Sequence, residues 1–298
     1  MEPIYFIHVM NLHHLELFHA VALHGSLTQA ATESCTSQSS VSKQLKVFED
    51  ALGVRLFDRL PRGIRLTQGG EILLEHAQAI FAQRDRAVQE LQELAGLRRG
   101  RLALASSRTI GAYLLPDLLA GFMASHPAIE VAVEVANTEH CLERVRAGTL
   151  EVALVEGPAE GDDLEIVPFR DDELVFVASR NHSLAQKNRT VPLRRILSEP
   201  LIARERGSGT RAILDRELLR QEVHWKPLLE LESTEAIKAF VEAGMGIAVL
   251  SRLAVARELE HGTLVRLRVP LRLERQLSLV RLRGRKASRA CEALLKHL

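Results

Sequence analysis

One segment near the amino end concentrates side chains that can hydrogen-bond to nucleic acid. Val41, Leu45 and Phe48 follow one another at spacings of four and three, which predicts a helix with one apolar face. The opposite face, which we name the reading face, carries amide, hydroxyl and ammonium groups from Gln38, Ser39, Ser42, Lys43 and Lys46. Glutamine can pair with adenine, lysine with guanine or phosphate, and serine with a base or a phosphate. A solvated polar face is the alternative for any one of these residues, but together they predict a helix that reads base pairs.

A second short helix, residues 26–31, must position this one. The hydroxyls of Ser26 and Ser37 are placed to cap the two helices, and Thr28 lies in the first turn of the earlier helix. Two helices joined by a tight turn form a helix-turn-helix, in which the second helix enters the major groove and the first crosses the backbone. All three hydroxyl residues are therefore candidates for DNA contact.

A basic hairpin is predicted directly after the helix that carries the reading face, which we call the reading helix. Pro61-Arg62-Gly63 has the composition of a turn, and residue 67 then begins a long helix. Arg59 and Arg62 would attract phosphates, and an arginine at the tip of such a wing can enter a narrow minor groove.

Residues 10–75 as a whole resemble the winged helix-turn-helix of LysR-type transcriptional regulators. The matching segments, in order, are Met10 to Leu12, Phe18 to Ala22, Gly25 to Ala31, Ser37 to Ser42 and Leu66 to Gly70. Ser34 and Thr36 depart from the family, which usually has apolar residues there, and Ser39 replaces a common proline. The resemblance implies a homodimer on double-stranded operator DNA, commonly paired into a homotetramer, with RNA polymerase as a further partner.

Composition sets the wider limits. A chain of 298 residues suits two or three domains, and an apolar fraction of 46% is ample for packed cores. The net charge is only +1, but residues 52–66 hold four arginines against one aspartate, so positive charge is concentrated beside the reading helix. Three widely spaced cysteines form no metal or redox motif and fit a reducing cytoplasm. Residues 1–9 lack a signal-peptide pattern and are expected to be an extension of the DNA-binding domain at 10–67.

Residues 68–98 predict one long helix with two apolar registers. One register passes through Leu73, Ala77, Ile80, Ala87, Leu91 and Leu94 and is interrupted by Arg84; the other passes through Leu74, Phe81 and Val88. One face could pack on the DNA-binding domain while the other meets the same helix of a second copy. Packing entirely within its own chain is the alternative.

After residue 99 the chain alternates short strands with helices, which is typical of a parallel sheet covered by helices. The predicted fold class is α/β, with lobe I at about 101–160 and 268–298 and lobe II at about 161–267. The chain is expected to cross between them near 157–169 and 264–271. This arrangement resembles the two-lobed, periplasmic-binding-protein-like effector domain of LysR regulators.

Small polar residues follow several predicted strands, where helices begin. These candidates for effector binding are Ser106, Ser107, Thr109, Asn137, Thr138, Ser208, Thr210 and Ser233. Free amides and the helix dipole favour negative charge at such positions. Each residue alone is equally a helix cap, and Arg108 and Arg204 could either neutralise an anion or lie on the surface. Within the family, Thr109 to Pro116 and Gly207 to Arg211 resemble regulators of sulfur assimilation and carbon fixation, which implies an oxyanion or carboxylate metabolite.

Other functions find little support. The histidines and cysteines show no metal-ligand spacing, and no nucleophile elbow is present, so we predict no catalytic residues, metal or cofactor. An α/β-lobed solute-binding protein without DNA function is the alternative. The sequence therefore predicts a cytoplasmic, homo-oligomeric transcription regulator that senses a small molecule and has no membrane association.

Overall fold

The computed structural model describes residues 10–59, 63–94, 100–185 and 189–298. The chain divides into two compact units, residues 1–88 and residues 89–298. The predicted extension at 1–9 and Arg62 lie outside the described residues, as does the side chain of Arg59. Within the described ranges, no helix combines the length and the apolar character needed to cross a membrane.

The first unit is a three-helix cluster followed by a hairpin and a long helix. Its elements are α1 (Leu12–His24), α2 (Leu27–Glu33), α3 (Gln38–Leu52), β1 (Phe57–Arg59), β2 (Ile64–Leu66) and α4 (Gln68–Leu94). Val41, Leu45 and Phe48 are buried, so the predicted apolar face of α3 is confirmed. β1 and β2 pair antiparallel, and this pairing forms the predicted hairpin.

The long helix has one buried face and one exposed apolar face in the described part. Leu73, Ala77 and Phe81 join the core of the first unit. The buried stripe thus combines Leu73 and Ala77 from the first predicted register with Phe81 from the second. Ile80 and Val88 are exposed. Arg84, which interrupts the predicted stripe, forms an ion pair with Glu16 at 2.7 Å instead of lying in an apolar seam.

The second unit contains most of the strands. Its helices are α5 (Arg108–Tyr113), α6 (Leu115–Ser125), α7 (Thr138–Arg146), α8 (Leu193–Ile196), α9 (Gly209–Arg220), α10 (Thr234–Glu242), α11 (Ala256–His261) and α12 (Arg289–His297). Its strands are β3 (Gly100–Ser107), β4 (Ile129–Ala136), β5 (Val152–Glu156), β6 (Leu164–Ser179), β7 (Leu201–Arg204), β8 (Leu229–Leu231), β9 (Ile247–Ser251), β10 (Leu264–Leu267) and β11 (Glu274–Leu282).

These strands follow the order β4-β3-β5-β11-β6-β9-β7-β8, with β10 paired to β6. The pairs β3–β4, β3–β5, β7–β8 and β7–β9 are parallel, as alternation of strands and helices predicts. β6 and β11 pair antiparallel with each other and with their other neighbours, so the sheet is mixed. Ser107, Asn137 and Ser208 each stand immediately before a helix, as expected.

Two continuous segments connect the lobes, at places that differ from our expectation. β6 pairs with β11 up to Glu173 and with β9 from Leu174 onward. The backbone N–H of Leu174 donates to the carbonyl of Leu273, so the return crossing lies at the same level. The expected crossings at 157–169 and 264–271 are therefore too early, because one unbroken strand, β6, runs through both lobes. Lobe I holds β3, β4, β5, β11 and β6 up to Glu173; lobe II holds the rest of β6 and β7 to β10.

Candidate functional site

Serine caps position both helices of the helix-turn-helix. Ser26 Oγ accepts from the N–H of Gln29 at 3.4 Å, and Ser37 Oγ accepts from the N–H of Ser40 at 3.2 Å. These two predicted DNA-binding residues thus also stabilise the helix starts. Thr28 is exposed on the first turn of α2.

The reading face is open over most of its length. Gln38, Ser39, Lys43 and Lys46 are exposed, and Ser42 is half-buried. Ser39 Oγ lies 3.0 Å from Ser37 Oγ, which links the face to its cap. Amide, hydroxyl and ammonium groups therefore stand on one side of α3, opposite its buried apolar face.

Glu49, which sequence reasoning missed, joins α3 to the hairpin. Its Oε1 accepts from the backbone N–H groups of Leu56 at 2.7 Å and Phe57 at 3.1 Å. Thr67, after the second strand of the hairpin, joins the hairpin to α4. Its Oγ1 donates to the Arg55 carbonyl at 2.6 Å and accepts from the backbone N–H of Gly70 at 3.1 Å. The basic hairpin is thus held in a defined position beside the reading helix.

In the second unit, hydroxyls from two helix starts of lobe I converge on Glu156, two on its buried carboxylate and one on its backbone carbonyl. Ser107 Oγ donates to Glu156, and Thr109 Oγ1 donates to Glu156 Oε1 at 2.7 Å. Thr138 Oγ1 donates to the backbone carbonyl of Glu156 at 2.9 Å. Glu156 lies at the end of β5 with 1% exposure, so the carboxylate is removed from water.

Lobe II reaches the same place where its Gly209 packs against Gly157 and Glu156 of lobe I. A Cβ added to Gly209 would lie 1.8 Å from the carbonyl oxygen of Glu156 and 3.0 Å from Thr138 Oγ1. One added to Gly157, whose φ is +88°, would lie 2.8 Å from Gly209 Cα. Ser208, next to this contact, has 1% exposure, and its Oγ has no hydrogen-bond partner among the described residues. We name Ser107, Thr109, Thr138, Glu156 and Ser208 the candidate effector site.

The remaining predicted residues have other roles in this structure. Asn137 Oδ1 caps α7 through the N–H of His140 at 2.9 Å, and Ser233 Oγ caps α10 through Ala236 at 3.2 Å. Ser106 is buried and donates to the carbonyl of its neighbour Ser107 at 3.2 Å. The structure shows no contact that brings Ser233 to the candidate effector site.

A buried ion network lies behind the site and contains residues that sequence reasoning missed. Arg275 Nε donates to Asp172 Oδ2 at 2.7 Å, its Nη1 donates to Thr210 Oγ1 at 2.9 Å, and Nη1 lies 3.8 Å from Glu156 Oε1. Asp172 Oδ1 also accepts from Ser251 Oγ at 2.9 Å. The side chains of Arg275 and Asp172 are 0% and 1% exposed. Thr210 therefore supports Arg275, and the network joins both lobes.

Both arginines that could have neutralised an anion are already paired. Arg204 makes two hydrogen bonds to Glu205, at 2.8 and 3.0 Å. Arg108 Nη2 donates to Glu232 at 2.5 Å, and its Nε lies 3.5 Å from Glu205. Recognition of an anion at this place would thus depend on groups other than these two arginines, such as Arg275 Nη2 and Ser208 Oγ, both buried and without a hydrogen-bond partner among the described residues.

A groove of 1980 Å³ adjoins the crossing strands. Asp172 and Arg275 line it together with Tyr113 from lobe I and Lys238 from lobe II, whereas none of the eight predicted effector-binding residues does. It lies beside the candidate effector site and shares the ion network with it.

Family models match nearly the whole chain. The model described as bacterial regulatory helix-turn-helix protein, lysR family, matches residues 12–71, and the LysR substrate binding domain matches residues 95–298. The chain belongs to the LysR family of transcriptional regulators. The expected family, fold class and function are confirmed, and the alternative of a solute-binding protein without DNA function is wrong.

Several relatives of this LysR regulator have named roles. It is 35% identical to the transcriptional activator CmpR of Synechocystis over 254 residues, which cover 85% of this chain and 83% of the relative. It is 34% identical to the RuBisCO operon transcriptional regulator of Allochromatium vinosum, with coverage of 95% and 94%. Identity to CysL of Bacillus subtilis is also 34%, with coverage of 83% and 82%.

Solved structures of LysR-type regulators have a similar fold. The regulatory domain of Synechocystis CcmR in complex with 2-PG superposes with a TM-score of 0.62 at 34% identity, covering 67% of this chain and 95% of that one. Full-length CbnR complexed with its target DNA gives a TM-score of 0.71 at 23% identity, with coverage of 97% and 98%, which shows a shared fold.

Proposed function

We propose that this LysR regulator binds a two-fold operator as a homo-oligomer through the reading face and changes state when a small anion occupies the candidate effector site. The buried, unpaired hydroxyl of Ser208 is the observation that carries the effector part. Buried polar groups nearly always have partners, so a hydroxyl at a helix start that has none among the described residues is free to donate to a ligand. An effector that prefers one lobe arrangement would shift the population of DNA-bound states. We also propose that the protein is cytoplasmic and not an enzyme.

The exposed face of α4 supports the oligomer. Ile72, Ile80, Val88 and Leu91 are 56%, 38%, 49% and 66% exposed on a helix whose other side is buried. A helix with apolar residues on its solvent side gains stability by pairing with a second copy. Such a pair would present two reading helices to a two-fold related site.

The DNA part predicts that Gln38→Ala lowers discrimination between operator and unrelated DNA by about 1–3 kcal/mol, because one bidentate base contact is lost. Gel-shift titration of a promoter fragment against a scrambled fragment measures this difference. Gln221→Ala is the matched control, since Gln221 is an exposed glutamine of the second unit, outside both the reading face and the exposed face of α4. Equal discrimination by the two variants would reject the assignment of the reading face.

The structure also supports an anionic effector. Ser208 Oγ has no hydrogen-bond partner among the described residues and can donate to an anion, whereas the hydroxyls of Ser107 and Thr109 already donate to the carboxylate of Glu156. Ser208 precedes α9, a helix of 12 residues, where free amides favour negative charge. The complex of the CcmR regulatory domain with 2-PG makes that compound the first anion to test.

A thermal-shift screen of 2-PG, phosphate, sulfate, sulfite and thiosulfate tests this class, because a ligand at a hundred times its Kd stabilises the protein by about 2.7 kcal/mol. Ser208→Ala should weaken the affinity for whichever anion stabilises the parent by about tenfold or more, since the lost hydrogen bond is to a charged group. Without ligand its melting temperature should match the parent, because Ser208 Oγ has no partner among the described residues. Ser233→Ala should do the reverse, losing a helix cap but keeping anion affinity. Unchanged calorimetric affinity in Ser208→Ala would reject the site.

A further inference from the structure

Helix α5 carries part of the candidate effector site and is held mainly from outside. Ser107 precedes it and Thr109 lies in its first turn, and both donate to Glu156. With only six residues, α5 has little stability of its own. Contacts with its neighbours must therefore determine where these hydroxyls stand.

Both ends of α5 contact lobe II at the start of α10. Arg108, at the first end, donates to Glu232 at 2.5 Å. At the other end, the hydroxyl of Tyr113 donates a hydrogen bond to Glu235 Oε1. Glu232 and Glu235 lie three residues apart on either side of the α10 cap. Helix α5 of lobe I is therefore bonded at both of its ends to one short segment of lobe II.

Glu235 is positioned for Tyr113 by a buried lysine. Lys238 Nζ lies 2.8 Å from Glu235 Oε1 and 2.8 Å from Glu258 Oε1, and it donates to the carbonyl of Ala254 at 3.2 Å. The same ammonium lies 5.5 Å from the centre of the Tyr113 ring. Although Glu235 is 68% exposed, Lys238 is 8% exposed and holds it in place. The entropy that usually weakens a surface hydrogen bond is thereby reduced.

The phenol is suited to act as a permanent donor. Burial, and then the hydrogen bond to Glu235, raise the pKa of Tyr113 to about 12. The hydroxyl therefore keeps its proton throughout the range in which the protein works. Burial by itself would raise the pKa of Glu235, but the hydrogen bonds from Lys238 and Tyr113 and the positive charges of Lys238 and Arg257 lower this pKa, which favours the charged acceptor.

We propose that Tyr113, Glu235 and Lys238 form a latch that holds the lobes together around the candidate effector site, with Tyr113 as a positioning residue that does not touch the effector. The inference rests on the proposed function only where it concerns effector affinity; the closing of the lobes can be measured without any ligand. Thr138 and Glu156 of lobe I lie against Gly209, the neighbour of Ser208 in lobe II, so the candidate effector site is complete only while the lobes are together. Loss of the latch should therefore weaken the binding of the anion.

A backbone hydrogen bond far along the chain from the latch reports lobe separation. The N–H of Glu139 on α7 of lobe I donates to the carbonyl of Gly207 in lobe II at 3.1 Å. Hydrogen exchange of this amide in the full, ligand-free chain measures how often the lobes part. We expect Tyr113→Phe, which removes only the hydroxyl, to speed exchange at Glu139 about threefold to tenfold.

Thr263→Val is the matched control. Thr263 Oγ1 donates to Glu242 Oε1 at 2.6 Å, so it is also a hydroxyl–carboxylate bond, but both residues belong to lobe II. Its loss should leave Glu139 exchange unchanged. Glu235→Gln tests the latch from the other lobe and should speed exchange as Tyr113→Phe does.

The same variants are then titrated with 2-PG. Tyr113→Phe should bind it about threefold to tenfold more weakly than the parent, and Thr263→Val should bind it equally well. If Glu139 exchange is unchanged in both latch variants, or if the change is confined to α5 and α10, the latch is wrong. If exchange rises but no anion of the screen binds even the parent, the latch holds and the proposed effector class fails.

Discussion

Asp172→Ala should destabilise the second unit by about 3–5 kcal/mol, since removing one partner of a buried ion pair leaves an uncompensated charge. Arg275 is fully buried, and Asp172 accepts its Nε hydrogen bond at 2.7 Å. Glu156, the other carboxylate nearby, lies 3.8 Å from Arg275 and is already bonded to Ser107 and Thr109. It is poorly placed to replace Asp172.

Urea unfolding followed by tryptophan fluorescence measures this loss. The chain has one tryptophan, Trp225, which packs against the core of lobe II and so reports the second unit. Asp171→Ala is the control, because Asp171 is the exposed neighbour of Asp172 and should change stability by no more than about 0.5 kcal/mol. Equal unfolding midpoints for the two variants would mean that the Asp172–Arg275 pair does not stabilise the fold.

Gly209→Ala is expected to abolish the response to the effector. The new methyl group would lie 1.8 Å from the backbone oxygen of Glu156, and a backbone atom cannot rotate out of the way as a side chain does. The lobes must separate or α9 must shift, and either change moves Ser208 away from Thr109 and Thr138. Overpacking of this kind also costs about 1–3 kcal/mol of stability.

Calorimetric titration of the variant with the anion selected by the thermal-shift screen tests this prediction. Gly100→Ala is the control, because a Cβ there would meet neighbours at 3.6 and 3.7 Å, which is ordinary contact. Binding by Gly209→Ala at the parental affinity would show that the glycine contact does not determine how the site is assembled.

Local patterns predicted the local structure well. The four-and-three spacing of Val41, Leu45 and Phe48 identified the buried side of α3, because a helix repeats over that distance. Hydroxyls before apolar runs marked helix starts, and Ser26, Ser37 and Ser233 do cap their helices. The same chemistry explains why caps and binding residues could not be separated: a serine oxygen serves an amide or a ligand equally well.

Long-range pairs were beyond the sequence. Arg275 and Asp172 are 103 residues apart, and no local spacing links them. The role of Glu156 could not be predicted, because it depends on hydroxyls from β3 and α5 reaching the end of β5. Arg108 and Arg204 illustrate the opposite error: a cation near a helix start suggests an anion ligand until the structure shows Glu205 and Glu232 beside it.

The long helix shows the limit of periodicity. Two registers were visible in α4, yet the residues of α4 that join the core of the first unit are Leu73, Ala77 and Phe81, and Ile80 is exposed. Straight helices drift relative to a seven-residue repeat, so a face that packs on a compact neighbour follows a different line from a coiled-coil seam.

The position of β11 between β5 and β6 has a consequence for biosynthesis. A ribosome delivers β3, β4 and β5 early, but the strand that completes their sheet begins only at Glu274. Until then the nascent polypeptide carries the open edge of β5, whose residues are all buried in the finished protein. Such an edge can pair with other chains. The strands β7 to β10 emerge before β11, so lobe II can mature first and lobe I closes last.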